Sequence, residues 1–213
     1  MAAHDATKAP LSLVRAPAEG DRARDDARLV ERLREGDPKA PAALFDRFGP
    51  LVNAVLYRVL GGGADHDDRV QETFLEALRA LPTLRDEGAL RAWITTIAVR
   101  VARAELRRRR VRRFLRLADE DLPEPPCVDD HGAREALRAT WRILETLPTD
   151  ERLAFTLRFI HGEELTVVAE ACGCSLATVK RWLARAEQRF VAQAVQHPEL
   201  ARRLTLGGRW SPP

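Results

Sequence analysis

An all-α fold divided into two small helical domains is predicted by three features of the sequence. Apolar residues recur every three or four positions along most of the 213 residues, no β-type alternation of useful length occurs, and a sharp reversal of charge beside a Pro-containing stretch divides the chain. The 45% hydrophobic content suffices for a core once the ends are set aside. Arg, Asp or Glu interrupts every hydrophobic run well short of the roughly 20 apolar residues that span a bilayer, so no membrane span is expected. Leu11, Leu13 and Val14 stand isolated among Pro, Ser and charge and form no secretory h-region, which makes a cytoplasmic location the expectation. Three cysteines form no disulfide framework and fit a reducing compartment.

Residues 1–24 mix Ala, Pro, Asp and Arg without periodicity and are expected to be a disordered tail, because they bury too little surface to offset ordering entropy. Asp25 or Asp26 can cap a short helix carrying Leu29, Val30 and Leu33, with Gly36 as its stop. Asp37-Pro38 reads as a cap followed by Pro at the first helical position, opening a helix with Leu44, Phe45 and Phe48 on one side. Gly49-Pro50 is expected to bend or break it. The apolar face resumes with Leu51, Val52, Val55, Leu56, Val59 and Leu60 and ends at Gly61-Gly62-Gly63. A helix over 66–80 spaces Val70, Phe74 and Leu78 by four, carries acids near its positive end, and is closed by Pro82. Another, over 87–110, is apolar first and basic last.

In the second half Leu137, Trp141, Leu144 and Leu147 repeat up to Pro148. Thr149 can cap the next helix, which bears Leu153, Leu157 and Ile160 and ends at His161-Gly162. Two shorter helices follow over 165–172 and 176–194, and residues 197–213 read as a flexible C-terminal tail.

Charge is distributed more tellingly than the net +3 suggests. From Arg100 to Arg116 nine Arg stand against Glu105, a net +8, and Asp119 to Asp130 holds six acids and no base. The expected division is a first domain over 25–112, an acidic Pro-containing linker over 113–133, and a second domain over 134–196.

The segment Leu165 to Arg185 has the layout of a helix-turn-helix: a short apolar helix, a Gly-containing turn, a Ser cap and a basic second helix. On that second helix Val179, Leu183 and Ala186 face inward, while Thr178, Arg181, Trp182 and Arg185 share the opposite face. Such a face suits a major groove, with Ser175 supporting the first turn. Taken alone, the segment also fits an ordinary amphipathic pair with a solvated basic face.

Three blocks together extend the reading. They are Asp67-Asp68-Arg69-Val70-Gln71-Glu72-Thr73-Phe74, then Arg91-Ala92-Trp93-Ile94 through the Arg run, then the helix-turn-helix with Gly173, Ser175, Thr178, Val179 and Lys180. In this order, across an acidic linker, the chain resembles an extracytoplasmic-function (ECF) RNA polymerase sigma factor of the sigma-70 family, built from region 2 and region 4, over about residues 26–195. The resemblance implies a dissociable initiation subunit with core RNA polymerase and promoter DNA as partners, often restrained by an anti-sigma factor. It implies core-polymerase binding by Asp67, Asp68, Gln71 and Glu72. It implies −10 DNA binding on the helix 87–110, where Arg100, Arg103, Arg107 and Arg108 supply a cationic track and Trp93 sits at core spacing. It implies −35 reading by Ser175, Thr178, Lys180, Arg181 and Arg185. Trp182, which stands where the family commonly has Arg, is a further −35 DNA-binding candidate on the outward face, where its indole could contact a thymine methyl, pack on the sugar backbone or meet an inhibitor protein.

Catalysis has little support. There is no Ser/His/Asp set or HExxH, Gly61-Gly62-Gly63 lacks the Lys-Ser/Thr of a phosphate loop, and the paired carboxylates lie unburied at helix starts or in the linker. No metal or cofactor is expected: Cys172-x-Cys174 is a poor tetrahedral chelate, even with Cys127, His131 and His161 elsewhere, and reads as small buried side chains. The alternative function is an autonomous helix-turn-helix regulator acting without core polymerase. A thiol- or metal-sensing protein and an RNA-binding protein are weaker rivals, the latter for want of aromatic platforms.

Overall fold

Nine α-helices and no strand occur among residues 19–115 and 131–206, which are the residues the computed structural model describes. The expected tail before residue 19, most of the expected linker including Cys127, and the chain beyond 206 lie outside the described residues. The first group of helices is α1 (Glu19–Arg34), α2 (Ala40–Leu60), α3 (His66–Ala80) and α4 (Leu90–Phe114). The second is α5 (His131–Thr146), α6 (Thr149–Phe155), α7 (Leu165–Cys172), α8 (Leu176–Ala194) and α9 (Pro198–Leu206), with a π-helical turn, Thr156–His161, continuing α6.

Several helices differ from the periodic reading. α1 starts at Glu19, inside the expected tail, because polar helix formers precede its apolar stripe and give no periodic signal. Leu29 and Val30 are buried and Gly36 ends the run at φ 77, as a left-handed stop requires. Asp37 and Pro38 precede α2: Asp37 accepts from the Lys39 N–H at 2.9 Å, and the proline of the first turn is Pro41. α2 runs unbroken through Pro50. Tertiary packing outweighs the lost backbone bond there, with Phe48, Val52, Val55 and Leu56 all buried. Phe45 is not a core residue; it is half exposed and its ring tilts onto Phe74 at 4.9 Å.

α4 continues to Phe114 and α5 opens at His131, both inside the expected linker. Thr149 is the first residue of α6 rather than its cap, and the N-cap position is Pro148. Ile160 lies on the exposed side because the π-helical turn shifts the register by which Leu153 and Leu157 face inward. α9 replaces part of the expected tail; Pro198 opens it, and Leu200 is buried in the second core.

The largest departure is in how the groups meet. One core cluster contains Val52, Leu56, Val59, Leu60, Val99 and Leu106 from the first group with Leu153, Leu157, Val168, Cys172, Val179 and Leu183 from the second. A smaller cluster joins α5, α6, α8 and α9 around Trp141, Phe155 and Phe190. The last carbonyls of α2 have no intrahelical donor, and arginines cap them: Arg109 donates to the Leu60 carbonyl at 2.8 Å and Arg152, from α6, to the Val59 carbonyl at 3.0 Å. Arg152 is buried, its guanidinium 5.9 Å from the Trp141 ring.

Candidate nucleic-acid and polymerase interface

The turn between α7 and α8 is set by local chemistry. Gly173 takes φ 64, its N–H donates to the Glu170 carbonyl at 3.0 Å, and the Cys174 N–H donates to the Ala169 carbonyl at 3.0 Å. That pair of bonds is a Schellman ending, open to glycine without strain. Ser175 then caps α8: the Thr178 N–H donates to Ser175 Oγ at 3.2 Å, with the two hydroxyls 2.9 Å apart. Val179, Leu183 and Ala186 are buried as expected, leaving Lys180, Arg181 and Arg185 exposed along the outer face. Arg181 reaches Thr178 Oγ1 at 3.4 Å. Trp182 is not a free outward group: it is half-buried and packs against the shared core cluster.

The basic half of α4 is less open than its charge predicts. Arg100, Arg107 and Arg108 are exposed, and Trp93 packs half-buried against the core. Arg103 instead turns toward the second domain, 3.1 Å from Asp150 in an ion pair and donating to the Cys172 carbonyl at 3.0 Å. Glu105, absent from the sequence-derived site, organises the rest. Its side chain is 3% exposed and faces Arg112 at 2.9 Å, Arg109 at 3.2 Å, Arg108 at 3.7 Å and Arg69 at 3.9 Å. Burial pushes its carboxyl up, but the Arg112 hydrogen bond and the Arg109 charge outweigh it and hold Glu105 below the usual carboxylate range. A lone acid at helical spacing inside an Arg run was its sequence signal.

On α3, Asp67, Asp68 and Gln71 are exposed together, and Glu72 is half-buried, 2.5 Å from Arg69 and 4.0 Å from Arg108. Asp68, Gln71, Glu72, Leu75, Arg79 and Arg108 are among the residues lining a shallow depression of about 500 Å³. Leu75 is 45% exposed there, an apolar contact beside carboxylates.

The paired carboxylates do not all stay in solvent. Asp26 is buried 2.6 Å from Arg47, and Glu151 is buried 2.5 Å from Arg189. Each has an arginine rather than a second acid as its partner, so both serve packing. Cys172 is buried and its thiol is pushed up to about 11 by that burial, with Cys174 half-exposed beside it. His161 Nδ1 lies 2.5 Å from Arg58 and its Nε2 3.2 Å from Glu163, a structural pairing across the domains. No helix among the described residues is long and apolar enough to cross a membrane.

The chain matches two family descriptions, Sigma-70 region 2 over residues 44–112 and Sigma-70, region 4 over residues 137–190. It is 32% identical over 178 residues to the ECF RNA polymerase sigma-E factors of Escherichia coli (strain K12) and Salmonella typhimurium (strain LT2), covering 76% of this chain and 91% of each relative. The fold is similar to two solved structures. One is CnrH in complex with the cytosolic domain of CnrY, with 24% identity and a TM-score of 0.56 over 78% of this chain and 95% of that one. The other is the sigma factor RpoE in complex with the anti-sigma factor NepR from Bartonella quintana, with 22% identity and a TM-score of 0.57 over 73% and 96%. The acid-edged α3 and most of the Arg-rich α4 thus fall in the first matched region and most of the Ser-capped α8 in the second, and the chain belongs to the ECF group of the sigma-70 family: it is an RNA polymerase sigma factor, a transcription-initiation subunit and not an enzyme.

Proposed function

We propose that residues 25–112 and 134–196 divide the work of initiation between core polymerase with the −10 element and the −35 element. The observation that carries the reading is the Ser175-capped start of α8 with Lys180, Arg181 and Arg185 exposed along one face. Such a helix enters a major groove with its first turns, where hydroxyl and guanidinium groups reach base edges and phosphates. Arg100, Arg107 and Arg108 hold the strand at the −10 element, joined by Arg103 once it leaves Asp150. Asp67, Asp68 and Gln71, with Leu75, meet an arginine-bearing surface of core polymerase, and Glu72 is steered toward that face by Arg69. The location is cytoplasmic, where polymerase and promoter are. An anti-sigma factor is the natural restraint, because the protein resembles chains solved in complex with such partners.

The test is a gel-shift series with core polymerase, double-stranded promoter fragments and the intact protein. Formation of a sequence-specific complex requires core and protein together, and Lys180→Ala with Arg181→Ala and Arg185→Ala abolishes it on promoters with a −35 element. Specific duplex binding by the protein alone at unchanged affinity, with no association to core, would instead establish an autonomous regulator.

A further inference from the structure

Where the last turns of α4 face the turn that joins α5 to α6 there is a cavity of about 400 Å³, lined by none of the residues proposed to contact DNA or polymerase. Three arginines line it: Arg109 and Arg110 from α4, and Arg152 from α6. Among the described residues, Glu145 is the one carboxylate on its wall. Arg109 and Arg110 reach it together because they follow Leu106, also on its wall, by three and four residues on one helix face. Leu147 and Pro148 give the opposite side an apolar patch, and Thr149 adds a hydroxyl.

Two of the three guanidinium groups are held in place from behind. Arg109 donates from Nη1 to the Leu60 carbonyl at 2.8 Å and from Nε to Glu105 at 3.2 Å. A guanidinium carries five N–H donors in a rigid fork, so Arg109, anchored through two of them, presents the others already oriented. Arg152 is 5% exposed and is anchored through Nε to the Val59 carbonyl at 3.0 Å. Arg110 is exposed and forms no ion pair among the described residues. Oriented donors lower the ordering cost of binding, since little side-chain freedom remains to be lost.

Three cations against one carboxylate leave two positive charges facing the same cavity. A phosphomonoester carries about −1.5 to −2 near neutral pH, which balances them, and its oxygens match the two-pronged guanidinium edge. The volume exceeds what a phosphate group fills and lies within the range of about 300–1,000 Å³ common to small-molecule sites. The patch of Leu147 and Pro148 and the Thr149 hydroxyl suit the organic part of such an ester. We propose that this cavity binds a small phosphomonoester of the sugar-phosphate or mononucleotide class, with Arg109 and Arg152 as fixed phosphate donors and Arg110 as the third. The site stands apart from the sigma-factor reading and needs neither polymerase nor promoter.

The test is calorimetric titration of the intact chain with ribose 5-phosphate and with adenosine 5′-monophosphate, ribose serving as the uncharged control. One phosphomonoester should bind per chain, ribose should not bind, and the thermal midpoint should rise by about 3–6 °C at about ten times the dissociation constant. Arg110→Ala should weaken binding about tenfold, and Arg110→Lys by less, because it keeps the charge and loses the fork. Glu145→Gln should tighten binding about threefold, a gain that loss of folding does not produce. Lys180→Ala with Arg181→Ala and Arg185→Ala, outside the cavity, should leave the affinity unchanged. No saturable binding of either phosphate up to about 10 mM overturns the site. So does an affinity that disappears in the α8 triple variant and survives Arg110→Ala, which would assign the binding to the α8 surface. Equal binding of ribose overturns the phosphate class. A 5′-phosphorylated RNA that binds through Arg110 when neither small phosphate does overturns the small-molecule assignment.

Discussion

α4 and α8 are both basic helices on apolar cores, and they spend their charge differently. Along α4, Glu105 engages Arg69, Arg108, Arg109 and Arg112, Arg109 also closes the end of α2, and Arg103 is held by the second domain. Along α8, Lys180, Arg181 and Arg185 project from a face whose reverse side is Val179, Leu183 and Ala186. The number of arginines in a run therefore overstates the cation available to nucleic acid. One buried carboxylate converts part of a track into scaffold, because a desolvated anion needs several donors around it.

Removing that carboxylate breaks the comparison most directly. Glu105→Ala leaves guanidinium groups facing one another without their anion. Because several of those arginines are partly exposed, the expected loss is about 2–3 kcal/mol, read from the urea midpoint of the intact chain. The same variant should bind non-specific DNA with a steeper salt dependence, since arginines are released to phosphate. A midpoint within error of wild type would show that Glu105 organises nothing.

Next in size is the cap of the reader. Ser175→Ala removes the acceptor of the Thr178 N–H and should cost about 1 kcal/mol of stability, with a matching loss of −35 duplex affinity for the polymerase complex. Ser175→Asp should recover the stability but not the affinity, because it adds a negative charge beside DNA phosphate. The two helices separate further by salt. Lys180→Ala, Arg181→Ala and Arg185→Ala should each lower the slope of log affinity against log salt by about one, whereas Arg109→Ala should lower stability and leave the slope unchanged.

The smallest effect is on acidification. His161 is pushed below its usual 6.5 by burial, against Glu163, with Arg58 of α2 and Arg91 of α4 adding to the depression. The unfolded chain therefore takes up a proton before the folded one does, so stability falls as pH drops below 6.5 and is recovered above it. Half-buried His66 shifts in the same direction for the same first cause. Between about pH 7.5 and about pH 5.5 the thermal midpoint should fall, and His161→Gln should reduce that fall.

Much of this was legible in the sequence where local chemistry decides. The spans of α3, α7 and α8 follow from four-residue apolar spacing, Gly173 and the Ser175 cap. Gly36 and Gly61 stop their helices, both at positive φ. Elsewhere tertiary packing overrode the local signal: α2 passes Pro50 because both sides of it bury the same face, and α9 forms because Leu200 has a core to enter. The union of the domains was not legible, since apolar residues such as Val99 and Leu157 announce burial without naming what covers them. On α8, Lys180, Arg181 and Arg185 are exposed as expected, whereas Thr178 and Trp182 are half-buried. Arg103 did not, because its partners Asp150 and Cys172 are distant in sequence.

The central claim is that this chain directs core polymerase to promoters through these two helices. Transcription from double-stranded genomic fragments, with purified core polymerase and with or without the intact protein, tests it most directly. Discrete new start sites that appear only with the protein, preceded by shared −10 and −35 sequences and lost in the triple α8 variant, are the predicted result. No protein-dependent transcripts, together with no retention of the protein on core polymerase in the absence of any inhibitor, would contradict it.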